Sequence, residues 1–214
     1  MTENTQQTAE DKFAFDFEGK KISDVLAMID GCQKQNRKIT LHPNGFLQLC
    51  LDASDDTPRG KRASTYQLHI WDASLPKRSP DMFDMHDHAF AIHSFVLVGK
   101  LMNSMYGTWA DEEGEYRIFR GDGAGNQIAT VEVISYTMEQ ADVVNQNNTY
   151  EVPKGAFHSS KSMADFTVTF IVKKDIDPDY KTKVIAPLDY EGGKIEIDRS
   201  IDQQVAWGIV EKAR

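Results

Sequence analysis

The sequence predicts a mainly β protein: an antiparallel sandwich or barrel of about eight strands, with a helix before it and a helical extension after it. Three observations predict this. Between residues 38 and 174, apolar and polar residues alternate with a period of two in short runs. Gly, Asn and Asp turn residues separate those runs. Only the stretches around 21–36 and 200–213 carry helical spacing instead.

Residues 1–12, MTENTQQTAEDK, hold too few apolar groups to offset the entropy of ordering, so a disordered tail is expected. An N-terminal helical segment follows over 13–36. It opens on the alternating KFAFDF, which is expected to add a strand to a sheet edge or to pair with a second subunit. Ile22, Val25, Leu26 and Ile29 then recur at helical spacing, with Ser23 or Asp24 near the start. KITLH (38–42), the turn PNG (43–45) and FLQLCLD (46–52) form a hairpin pattern, which leaves His42 exposed beside the turn. The polar stretch 53–64 is a loop, TYQLHIWDA (65–73) a strand, and LPKRSPDM (75–82) a second loop. Further strands are predicted at 92–98, 100–109, 115–120, 127–137, 140–152 and 165–174, with a clear turn at Asp122-Gly123. With no internal repeat, 37–174 is expected to be one barrel. The extension 175–214 begins with a surface-running DIDPDYKTKVIAPLDYEGGK and ends in a helix capped by Ser200.

Composition narrows the function classes. A net charge of −9 and no basic run argue against nucleic acid and anionic membranes as partners. No apolar stretch approaches the ~20 residues needed to span a bilayer, and the N-terminus has no signal-peptide pattern. A cytoplasmic protein is therefore expected. Cys32 and Cys50 have no metal-ligand spacing and are expected to be reduced thiols.

The histidines carry the chemistry. DMHDHAFAIHSFVLVG (84–99) holds His86, His88 and His93. Histidines two apart share a strand face, so His86 and His88 can converge, whereas His93 has the opposite parity. In YEVPKGAFHSS (150–160), Pro153 and Gly155 make a turn that delivers His158 to the next strand. Within YQLHIWDA, Gln67, His69 and Trp71 share one face, and Leu68 and Ile70 the other. Either the first set lines a pocket, or the second faces the core and His69 faces solvent. Tyr106, on the strand after Gly99, is pocket wall or core.

His86-Asp87-His88, with Gly99 eleven residues on, resembles the first signature of the cupin superfamily: H-x-H, three or four residues, a glutamate, six residues and a glycine. Pro153 to His158, PKGAFH, resembles the second, P-x-G-x-x-H. The resemblance covers roughly 38–174. It implies a small antiparallel double-stranded β-helix, or jelly roll, with a metal inside it held by His86, His88 and His158. Two departures stand out. The family's glutamate position is Ile92, with His93 one place later and so turned outward, and Ser162 stands where many members have asparagine. Three histidines without the acid resemble the thiol dioxygenases. This implies a mononuclear non-haem iron dioxygenase, with Fe(II) as metal and a small molecule and O₂ as partners. Zn, Ni or Mn remain alternatives, for an isomerase, lyase or hydrolase. A third possibility is a non-enzymatic ligand-binding cupin, for which the terminal segments could build a homodimer. The dioxygenases' serine–histidine–tyrosine set is not found after His158, and Arg62 and Arg117 are carboxylate-binding candidates by composition only. Asp87 either orients a neighbouring group behind the ligands or is a solvated carboxylate.

Overall fold

Two antiparallel sheets lie face to face in a computed structural model that describes residues 16–52, 65–78, 84–122, 126–190, 193–196 and 198–214. The element order is β1 (Asp16–Phe17), β2 (Lys20–Lys21), α1 (Ile22–Lys34), β3 (Thr40–His42), β4 (Phe46–Cys50), β5 (Tyr66–Asp72), β6 (Ala91–Val98) and β7 (Lys100–Ala110). It continues with β8 (Tyr116–Gly121), β9 (Gln127–Asn145), β10 (Thr149–Val152), β11 (Phe157–Ser162), β12 (Phe166–Lys174), β13 (Lys183–Pro187), β14 (Lys194–Ile195) and α2 (Gln203–Glu211). The first sheet runs β10-β6-β12-β5-β4-β3 and the second β11-β7-β9-β8-β13, with β14 paired to β9. The predicted mainly β, cupin-like architecture is thus present. No helix among the described residues is long and apolar enough to cross a membrane.

The first sheet is covered on both faces, and this places the site. Side chains alternate along a strand, so each strand contributes one set to each face. Leu41, Leu47, Leu49, Leu68, Ile70, Val168 and Phe170 form the outer set and pack under Val25, Ile29 and Cys32 of α1 and Ala206, Ile209 and Val210 of α2. Each such fully buried aliphatic side chain is worth roughly 1.5–3 kcal/mol. The inner set faces the second sheet. There Phe46, Trp71, Val96, Leu101 and Val144 make one small core, and Ile118, Ile134, Phe157 and Ile185 another.

Several expectations are corrected. The two strands predicted at 127–137 and 140–152 are one long β9, whose pairing with β7 shifts where Glu139 is bulged out between Met138 and Gln140, followed by a separate β10. The stretch expected to run across the surface supplies β13, which pairs with β8, and β14. α2 is capped by Asp202, whose carboxylate accepts the Val205 N–H at 2.9 Å, not by Ser200. Residues 16–17 form a hairpin with 20–21 rather than a sheet-edge strand, and Phe17 packs on Phe95 and Phe170 of the first sheet's outer face. The expected tail 1–12, the remainder of the Phe13–Phe17 run, the loop 53–64 with Arg62, and the centre of the 122–126 turn lie outside the described residues.

Candidate metal centre

The H-x-H segment is held between two strands. The His86 N–H donates to the His158 carbonyl at 3.0 Å, and the His158 N–H donates back at 2.9 Å. On the other side, the Asp87 N–H reaches the Lys183 carbonyl at 3.0 Å. The Pro153–Gly155 turn closes the third side, where the Gly155 N–H donates to the His88 carbonyl at 3.1 Å. Gly155 has φ +75°, and a Cβ there would stand 3.2 Å from the Tyr180 hydroxyl, so glycine fits both the backbone and the space. That hydroxyl donates to Asp87 at 2.6 Å, and the Lys183 N–H donates to the same carboxylate at 2.5 Å. Asp87 is buried, not solvated: it ties the back of the H-x-H segment to the C-terminal extension. Burial raises its pKa, while the hydrogen bond from Tyr180 and then Lys183 act against that rise.

The structure brings His86, His88 and His158 together, with one nitrogen from each lying within 4.8 Å of the others. The ring centroids are 4.8, 4.8 and 5.0 Å apart, close to an equilateral triangle. His88 Nε2 and His158 Nε2 lie 3.0 Å apart. Two nitrogens about 2.1 Å from one ion and at right angles to each other would be about 3.0 Å apart. Two of the rings are also fixed from behind. His86 Nδ1–H donates to the Asp84 carbonyl at 2.7 Å, and His158 Nδ1–H to Asn103 Oδ1 at 3.1 Å. With the proton on Nδ1, each Nε2 keeps a lone pair for the cluster. Burial, and behind it the charges of neighbouring histidines, holds His88 and His158 well below the usual imidazole range; burial lowers His86 as well. Three neutral imidazoles with converging lone pairs fit a metal ion. Imidazole suits Fe, Zn and Ni better than Mn, which favours oxygen donors.

A cavity of about 260 Å³ opens beside His86 and His88, just below the common range of ligand pockets (~300–1,000 Å³). Gln67 and His69 line it. Trp71 lies deeper, facing His69, His86, His88 and His158 and packed on Phe46 at 4.8 Å. His69 therefore looks inward, with its Nε2 3.3 Å from both Gln67 Oε1 and Gln48 Nε2. Ile92, where a cupin acid would stand, is 2% exposed and lines the cavity. His93 points the other way, 2.9 Å from Glu18 and 3.6 Å from Glu151. Tyr106 belongs to the core around Phe157 and bonds Ser159 at 3.0 Å; neither it nor Arg117 lines the cavity.

His42, expected in solvent, instead stacks on Phe46 with ring centroids 4.3 Å apart and lies 5.7 Å from His86. Five of the six histidines thus surround one space. Asn103, Gln48, Lys173 and Arg199 also belong to the site and were missed from sequence. Strand parity was the available signal for the first three, since each falls on the inner face. Arg199 had none.

No family model and no curated protein matches the sequence. Among solved structures the chain is similar to Drosophila melanogaster CENP-C bound to CAL1, at 10% identity and a TM-score of 0.34 over 71% of this chain and 97% of that one. It is also similar to protein SO0799 from Shewanella oneidensis, at 10% identity and a TM-score of 0.30 over 86% and 89% of the two chains. At these scores neither likeness bears on family or function. What fits a cupin is internal to this chain: the two-sheet strand order and the three-histidine cluster inside it.

Proposed function

We propose that the protein is a mononuclear metal-dependent enzyme of the cupin type, with Fe(II) held by His86, His88 and His158, and that it oxidises a small molecule with O₂. One observation carries this. Three neutral imidazoles, two of them fixed through their outer N–H groups, converge beside a ligand-sized cavity in which Ile92 replaces the acid. When bound, Fe(II) would supply open coordination positions for substrate and O₂.

The chain's own residues do the rest. Three neutral ligands leave the ion's charge uncompensated and so favour an anionic donor from the substrate. Phe90, Ile92 and Ile171 give an apolar wall that excludes water, while Gln67 and His69 offer polar atoms to orient what binds. His42 Nδ1 accepts the Asn44 N–H at 3.3 Å, which leaves its proton on Nε2 as a hydrogen-bond donor.

The likeness to thiol dioxygenases makes small thiols the first substrates to try. Oxygen uptake by iron-loaded protein is measured against small thiols and carboxylic acids. Substrate-dependent uptake that disappears in His158→Ala is expected. Zinc or nickel as the resident metal, with no uptake for any compound, would contradict the proposal.

A further inference from the structure

A second concavity, a groove of about 600 Å³, lies between β10 of the first sheet and the β7–β9 pair of the second. It shares no lining residue with the cavity beside His86 and His88. Its volume falls inside the common range of ligand pockets (~300–1,000 Å³). Strand register builds one wall. Asn103 stands directly opposite Asp142, and Met105 opposite Gln140, so these four side chains are neighbours on one sheet face. Gln140 Nε2 donates to Asp142 Oδ2 along β9 and holds that exposed carboxylate in place. Val144 and Tyr150 add apolar surface beside them.

Asn103 supplies the group that points to a ligand. The residue is 4% exposed, and its Oδ1 is taken by His158 and Ser160. Its Nδ2 makes no hydrogen bond with any described residue, although the side chain lines the groove. A donor withdrawn from water without a partner carries a penalty, which an acceptor arriving in the groove relieves. Asp142 beside it, ionised, can only accept. No lysine or arginine is among the described residues that line the groove. An ammonium ligand would therefore suit Asp142 and leave Asn103 unpaired. A carboxylate or phosphate would suit Asn103 but stand beside Asp142 with no cation to offset it. A hydroxyl both donates and accepts, so it satisfies both residues at once, and a hydroxyl on the next carbon can reach Gln140. We propose that the groove binds a small neutral polyol or monosaccharide, with adjacent hydroxyls on Asn103, Asp142 and Gln140 and the C–H face of the molecule against Met105, Val144 and Tyr150. Such binding requires neither a metal nor a reaction at the histidines.

The test is ligand-observed NMR titration of the full chain with glucose, mannose, ribose and myo-inositol. Cyclohexanol serves as the single-hydroxyl control, glucosamine as the cation and gluconate as the anion. At least one neutral polyol is expected to bind at millimolar concentration, about tenfold or more tightly than cyclohexanol and gluconate. Asn103→Asp keeps the acceptor for His158 and removes the Nδ2 donor; Asp142→Ala removes the exposed acceptor, so that the result does not hang on a buried substitution. Each should weaken the bound polyol about tenfold, as expected for losing one hydrogen bond in a groove shielded from water. His88→Ala should bind it as the parent does. The inference is overturned if no polyol binds at tens of millimolar, if cyclohexanol binds as well, or if only glucosamine or only gluconate binds. It is overturned equally if Asp142→Ala binds like the parent, or if binding is lost in His88→Ala, which would put the polyol in the histidine cavity. Oxygen uptake decides the enzyme proposal and has no bearing on this one.

Discussion

Asn103 offers the sharpest test of how the ligand set is held. It is 4% exposed, and its Oδ1 accepts both His158 Nδ1–H at 3.1 Å and the Ser160 hydroxyl at 3.2 Å. Asn103→Ala removes the acceptor and leaves a buried N–H unsatisfied, at a cost of about 1–3 kcal/mol. It also frees the ring to move its proton to Nε2, where the lone pair must be if a metal is to bind. Both effects fall on the metal-bound state, so affinity should drop about 10- to 100-fold, the usual consequence of removing such a partner. Asn103→Asp, which keeps an acceptor and adds charge behind the ring, should bind metal at least as tightly as the parent. The assay is chelator competition at neutral pH, with thermal melting run alongside to show that each variant is folded. A folded Asn103→Ala that binds metal within about twofold of the parent would refute the assigned tautomer and the role given to His158.

Two further outcomes follow from the same structure. Gly99 has φ +80°, and a Cβ built on it would lie 2.4 Å from the Phe166 carbonyl oxygen; Gly99→Ala should therefore cost about 3 kcal/mol or more in urea unfolding, and a loss under about 0.5 would contradict the packing. Burial lowers the pKa of His42, His69, His86, His88 and His158, so the unfolded chain binds protons that the folded chain refuses. The metal-free protein should lose stability as pH falls below about 6.5, by at most about 1.4 kcal/mol per pH unit for each histidine, and a melting temperature flat from pH 7 to 5 would count against five buried neutral rings.

Much of this was legible in the chain because the relevant signals are local. Period-two runs gave the strands from β3 to β8, and the histidine parity placed His86 and His88 together and His93 apart. The P-x-G turn predicted a strand carrying His158, and β11 is that strand. What was not legible depends on what covers each face of a sheet. An alternating strand usually turns its polar side to water, and by that rule His69 and His42 belong outside. Here α1 and α2 cover the apolar side of the first sheet, which turns Gln48, Gln67, His69 and Lys173 inward, and no local pattern reports that. Similarly, β13 carries no clear alternation because Lys183–Pro187 is set by pairing with β8 and by Asp87, not by its own periodicity. The one-residue bulge at Glu139 read as a strand break because it inverts the pattern in mid-strand.

The most direct measurement is elemental analysis of the protein expressed with iron, zinc and nickel supplied, set beside His88→Ala and His158→Ala made the same way. One ion per chain in the parent, and its loss from both variants while their folds melt cooperatively, is the predicted result. A parent that holds no metal under any supplement, or variants that keep a full complement, would show that the three converging histidines are not a metal centre.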